Sequence, residues 1–126
     1  MVDIRDTSLQ RRDAVMRTLE EACVATSAKR QVAIHSELLN ADAPAESGPA
    51  IVAALRQACE KHGFSFLPMT SRAYHDSLFM SRIAPTAMLF IPCRNGYSHR
   101  PDEYASPEDI ARGALVLAEA LAALTE

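Results

Sequence analysis

Ala87-Met88-Leu89-Phe90-Ile91 is continuously apolar, and after Pro92 comes the densest polar cluster of the chain, Cys93-Arg-Asn-Gly-Tyr-Ser-His-Arg-Pro-Asp-Glu103. An unbroken apolar run of this length suits a central strand covered on both faces. Beyond the cluster, Ser106-Pro107-Glu108-Asp109 combines a cap, a first-turn proline and two acids at the positive end of a helix dipole, so a helix should begin there. Its expected inward stripe is Ile110, Ala114, Leu117, Leu121 and Leu124. Moving back along the chain, His75 to Ile83 reads as a helix and Phe64 to Met69 as a short strand. Ser47 can cap a helix with Pro49 in its first turn, Ile51, Leu55, Ala58 and Cys59 inward, and Gly63 at the stop position.

The segment Asn40 to Pro49 gathers Pro, Gly and small polar residues, as linkers do, and a domain boundary is expected there. Before it, Val32, Ile34, Ser36 and Leu38 alternate with Ala33, His35 and Glu37 in the period of a strand. Val2-Asp3-Ile4-Arg5 alternates likewise. Between these two, a helix should run to about Lys29, opened by a capping box of Thr7 and Gln10, with Leu9, Met16, Leu19 and Cys23 buried on one stripe. The second half therefore has an α/β pattern, and the first resembles part of a small α+β unit.

Composition narrows the function classes. The 126 residues are nearly half apolar and about one quarter charged, as in folded soluble proteins. A net charge of -3 with scattered Lys and Arg argues against nucleic acid as a partner. No apolar run approaches the roughly 20 residues that cross a bilayer, and the start MVDIRDTS lacks the apolar core of a signal peptide. No membrane role and a cytoplasmic setting are expected. Cys23, Cys59 and Cys93 are widely spaced without a CxxC pair, and read as reduced, mostly buried thiols.

Reactive groups in α/β sheets collect beyond the carboxyl ends of strands, which draws attention to His99. A neutral imidazole is a good zinc ligand, and Asp102 or Glu103 can orient it from outside the coordination sphere. On spacing alone a loop His such as His99 is more often a solvated or hydrogen-bonded side chain than a metal ligand. A second cluster, Ser71-Arg-Ala-Tyr-His-Asp-Ser77, falls at another strand-to-helix junction, where free amides can hold an anionic group. Were His75 and Asp76 both helical, they would point about 100° apart; the plainer reading has Asp76 capping and His75 packing.

Taken together, Ser71 to Met80, Ile83-Ala-Pro-Thr86, Phe90-Ile-Pro92, Gly96-Tyr-Ser-His99, Pro101-Asp-Glu103 and Ser106-Pro-Glu-Asp109 resemble the C-terminal part of the M20 amidohydrolases that act on N-carbamoyl and ureido substrates. The resemblance extends to Val2-Asp-Ile-Arg-Asp6, which is similar to a strand of that family's lid domain. It implies that residues 1–43 belong to the lid and dimerisation domain and 44–126 to the α/β catalytic domain. It further implies His99 as the last metal-binding histidine, Arg5 as the lid arginine that holds the substrate carboxylate, and a place near substrate for His75. Arg suits that role because its planar fork can grip a carboxylate bidentately. Most members carry G-A-G-H-D-A in the first cluster; Arg72 and Tyr74 replace the two glycines here, and the form S-R-A-Y-H-D-S is similar to the ureidoglycolate branch. Bulkier side chains fit a shorter acid, with allantoate or an N-carbamoyl amino acid as the other candidates.

The family mechanism implied by the resemblance uses paired divalent metal ions, zinc or manganese, and a glutamate that handles protons. That glutamate and the remaining ligands belong to family segments that these 126 residues do not match. One His is too little of a four-coordinate site, so the chain alone is expected neither to bind zinc tightly nor to catalyse the reaction. Uncovered sheet edges and apolar faces would favour a homo-oligomer. Two readings stay open: part of a ureido-acid hydrolase, or a non-catalytic remnant that self-associates or binds.

Overall fold

The structure is a computed structural model that describes residues 1–125. In order, the helices are α1 (Leu9–Arg30), α2 (Pro49–Lys61), α3 (Ser77–Met80) and α4 (Pro107–Thr125), with a 3-10 turn at Arg94–Gly96. They belong to two compact units, Met1–Pro44 and Ala45–Glu126.

No described residue lies in a strand, which corrects the α/β expectation at Val2–Arg5, Val32–Leu38, Phe64–Met69 and Ala87–Ile91. The physical reason is that a strand exists only through hydrogen bonds to a neighbouring strand. None of these four segments meets such a neighbour among the described residues, whatever its own alternation or apolarity.

In the first unit, Ser8 caps α1, its Oγ accepting from the Arg11 N–H at 3.3 Å. The expected capping box of Thr7 and Gln10 is therefore displaced by one residue. Asp6 explains the shift: its carboxylate accepts from the Ser8 N–H at 2.7 Å and from the Arg11 Nε at 3.0 Å, fixing the chain so that Ser8 stands at the cap. Arg11, followed by the Ser8 amide, holds the Asp6 carboxyl below its usual range. The helix ends where Gln31 turns left-handed at φ 52°. Arg12 reaches the carbonyl of Asp42 and ties α1 to the segment that follows it. The expected inward stripe of Leu9, Met16, Leu19 and Cys23 is not buried: α1 has no buried residue, because no second element lies across it within its unit.

The second unit is built on the packing of α2 against α4. Pro49 opens α2 after Gly48, which takes the cap position in place of the expected Ser47. The other end closes as its sequence suggests. Gly63 turns left-handed at φ 66°, its N–H donates to the Glu60 carbonyl at 3.1 Å, and the Phe64 N–H donates to the Cys59 carbonyl at 2.9 Å. This paired arrangement satisfies two orphan carbonyls of the last turn. It also folds Phe64 back beside Leu55 onto a core of Ala58, Cys59 and Val116. Lys61 and Glu119 join the two helices at 2.6 Å, and that pairing holds the Glu119 carboxyl below its usual range.

Helix α4 is capped as expected, the Ser106 Oγ accepting from the Asp109 N–H at 3.0 Å. Its buried face is another matter. Val116 and Ala120 are the buried residues, and Gly113 lies so close to Ile91 that an added Cβ would stand 2.4 Å from the Ile91 Cγ2. Small residues admit α2 and Ile91, whereas Ile110, Leu117, Leu121 and Leu124 remain exposed and Ala114 with them. The expected stripe is thus a second apolar face with nothing across it in this unit.

Gly113 gives a direct check on this packing. Alanine would improve helix propensity by about 1 kcal/mol, but overpacking against a β-branched neighbour costs about 1–3 kcal/mol. Gly113→Ala is therefore expected to lower stability by about 1 kcal/mol, read as a lower urea midpoint at unchanged m. A raised midpoint would show that Ile91 is not fixed against α4.

Candidate functional site

Two loop clusters of the second unit carry all the candidate residues except Arg5. In the first, His75 precedes α3 instead of belonging to it, so the helical geometry expected for His75 and Asp76 does not apply. The His75 ring is half-buried, tilted against Phe90 at 5.9 Å between centroids, and its Nε2 lies 2.9 Å from the Ser71 Oγ. Ser71 also accepts from the Ala73 N–H at 3.3 Å, closing a tight turn. Asp76 stands at the cap position of α3 but makes no side-chain cap bond. Its backbone carbonyl accepts from the Phe79 and Met80 N–H groups at 2.9 and 3.1 Å. The Ser77 hydroxyl reaches the Met88 sulfur at 2.9 Å, so this cluster is anchored on the apolar run 87–91 at two points.

The second cluster starts where that run ends. The Arg94 N–H donates to the Tyr104 carbonyl at 2.8 Å, pinching the loop shut, and the Arg94 guanidinium lies 4.5 Å above the Tyr104 ring. Asn95 and Gly96 turn left-handed, and the Cys93 thiol reaches the Tyr97 carbonyl at 3.4 Å. His99 is exposed and also left-handed, at φ 58°, a conformation in which His is over-represented among non-glycine residues. Its N–H donates to the Glu103 carboxylate at 2.7 Å. Asp102 instead takes both Nε and Nη2 of Arg100, at 2.9 and 3.0 Å, and Arg100 stacks over Tyr97 at 3.9 Å. Glu103 therefore steadies the backbone of His99, and Asp102 steadies the neighbouring arginine.

Arg5 belongs to the first unit. Its guanidinium grips the Asp3 carboxylate, with Nε at 2.9 Å from Oδ1. That hydrogen bond holds the Asp3 carboxyl below its usual range and raises Arg5.

The structure brings His99 together with Glu103, and His75 with Ser71. Among the described residues no three His, Cys, Asp or Glu side chains gather to hold a metal ion, so the groups present do not make up the family's metal site. Sequence reasoning missed the partnership of Ser71 with His75 and the two arginine–tyrosine stacks. Their only signals were the four-residue spacing of Ser71 and His75, and the interleaving of Arg94, Tyr97, Arg100 and Tyr104.

A family model described as peptidase family M20/M25/M40 matches residues 7–123, and the chain belongs to that family. It is similar to the ureidoglycolate hydrolase of Oryza sativa subsp. japonica, 44% identical over 125 residues, covering 98% of this chain and 26% of the rice protein. The allantoate amidohydrolase of Escherichia coli is 31% identical over 117 residues, covering 93% of this chain and 28% of its own length. The N-carbamoyl-L-amino-acid amidohydrolase of a Pseudomonas strain is 33% identical over 120 residues, covering 95% and 29%. A crystal structure of AtUAH in complex with glyoxylate superposes with a TM-score of 0.82 at 44% identity, over 95% of this chain and 29% of that one. The chain spans about a quarter of the length of the curated relatives it matches. No helix of the described residues is long and apolar enough to cross a membrane.

Proposed function

We propose that this chain supplies the C-terminal part of a metal-dependent hydrolase that cleaves a C–N bond in the ureido group of a short acid, with ureidoglycolate as the preferred substrate. The observation that carries the reading is the 44% identity to rice ureidoglycolate hydrolase across 125 residues, against 31% to the allantoate enzyme. The solved relatives point the same way: AtUAH has been crystallised with glyoxylate and with (S)-hydroxyglycine, both two-carbon acids. Arg72 and Tyr74 agree with a pocket for a small acid, since side-chain bulk at a recognition loop excludes longer substrates.

In this reading residues 1–43 are lid and 44–126 catalytic domain, and the apolar segments 64–69 and 87–91 become strands once the rest of the sheet is alongside them. His99 contributes one ligand to a zinc or manganese centre whose other ligands lie outside these residues. Glu103 and Asp102 support its loop, Arg5 exchanges Asp3 for the substrate carboxylate, and His75 lies beside the substrate with Asp76 behind it. The chain alone is inactive and self-associates.

Substrate choice is testable in a chimera in which this chain replaces the matching quarter of the rice protein. The chimera is expected to release ammonia from ureidoglycolate at least about tenfold more efficiently than from allantoate or an N-carbamoyl amino acid, the scale on which shape differences in a pocket discriminate. Equal rates, or a preference for either larger acid, would reject the assignment of ureidoglycolate.

A further inference from the structure

We propose that Ser71 is a positioning residue that sets the tautomer of His75 and thereby decides what the ring offers to a bound acid. The inference rests on the reading above in one respect, that His75 lies beside the substrate; the Ser71–His75 pair itself does not depend on it. A serine hydroxyl has one proton to donate and two lone pairs to accept with. Ser71 Oγ already accepts from the Ala73 N–H at 3.3 Å, and its remaining close partner is His75 Nε2 at 2.9 Å. No other acceptor for the Ser71 O–H is found among the described residues, so donation to Nε2 is the arrangement that satisfies the hydroxyl within the turn, and neutral His75 then carries its proton on Nδ1. Which nitrogen of a histidine is protonated follows from the bond the other makes.

Packing against Phe90 at 5.9 Å restricts rotation of the ring that would exchange the two nitrogens. Nδ1 has no hydrogen-bond partner among the described residues. The arrangement therefore displays one N–H donor of fixed identity, suited to an oxygen acceptor such as a carboxylate or a ureido carbonyl. Without Ser71 the imidazole reverts to the Nε2–H form that unconstrained histidine favours, and the donor moves to the other side of the ring.

The test is long-range 1H–15N correlation NMR on the uniformly 15N-labelled chain in mildly alkaline buffer. His75→Gln identifies the His75 signals among those of His35, His62 and His99. The expected result is an Nδ1–H tautomer in the native chain, retained in Ser71→Thr and replaced by Nε2–H in Ser71→Ala. An Nε2–H tautomer in the native chain, or an unchanged one in Ser71→Ala, would overturn the proposal. Should the alanine variant fail to fold, the native tautomer alone still decides. In the chimera, Ser71→Ala is expected to lower kcat/KM by about 10–100-fold, the usual effect of removing a group that orients a site residue, with threonine restoring it. An inactive chimera together with the Nδ1–H tautomer would reject the hydrolase reading and leave the Ser71 assignment standing.

Discussion

His99→Ala in the chimera is expected to lower kcat/KM for ureidoglycolate by more than about a hundredfold. Groups that only orient a metal ligand cost 10–100-fold when removed, and deleting one of a few direct ligands should exceed that. The local structure makes the result interpretable. The exposed His99 side chain makes no hydrogen bond that holds the fold; its backbone N–H does that work through Glu103 at 2.7 Å. Alanine at φ 58° is strained by about 1–2 kcal/mol, which could loosen the loop by itself. His99→Asn removes this ambiguity, because asparagine accepts the left-handed conformation well but is a poor substitute for imidazole on zinc. Both variants should lose activity alike while their melting temperatures differ. Activity retained in His99→Asn but lost in His99→Ala would make His99 a loop-shaping residue only.

The second large effect concerns association. Ile110, Leu117, Leu121 and Leu124 of α4 are all more than 40% exposed, on a face that adjoins the buried Val116 and Ala120. Burying each such side chain is worth about 1.5–3 kcal/mol, and a helix apolar on both sides is made to be buried. The chain by itself is therefore expected to sediment as an oligomer. Leu117→Glu with Leu121→Glu is expected to return it to a 13.7 kDa monomer of unchanged helix content, since both side chains are about half exposed and the buried cluster is Ala58, Cys59 and Val116. In the chimera, where this face would be covered, the same pair of charges is expected to prevent folding. A native chain that sediments as a monomer at every concentration would contradict the account of this face.

Features fixed within a few neighbouring residues were legible in advance. The Ser106 cap, the Pro49 helix start and the Gly63 stop depend on local geometry, and each stands where the sequence places it. The cap of α1 moved by one residue because the Asp6 carboxylate accepts from the Ser8 N–H and the Arg11 guanidinium, which leaves Ser8 at the cap. The inward face of α4 was misread because large aliphatic residues mark both of its sides. Gly113, Val116 and Ala120 win the packing by being small enough to admit α2 and Ile91, and a periodicity ranked by size points to the leucines instead.

The strands failed for a different reason: Ala87 to Ile91 has the composition of a central strand, but pairing is a property of two segments, and no strand partner stands beside it among the described residues. At the site, a polar loop after an apolar run singled out His99 and Glu103. The Ser71–His75 bond was not legible, since it depends on how the turn at Ala73 folds the chain back. Arg5 and Asp3 are two residues apart in an alternating stretch, where side chains share a face, and their pairing could have been foreseen.

The most direct test of the central claim is ammonia release from ureidoglycolate, with zinc or manganese supplied, by the 126-residue chain alone and by the chimera side by side. Turnover by the chimera, with none above background from the chain alone, is the predicted result. Turnover by the isolated chain, or a folded chimera with none on any ureido or carbamoyl acid, would contradict it.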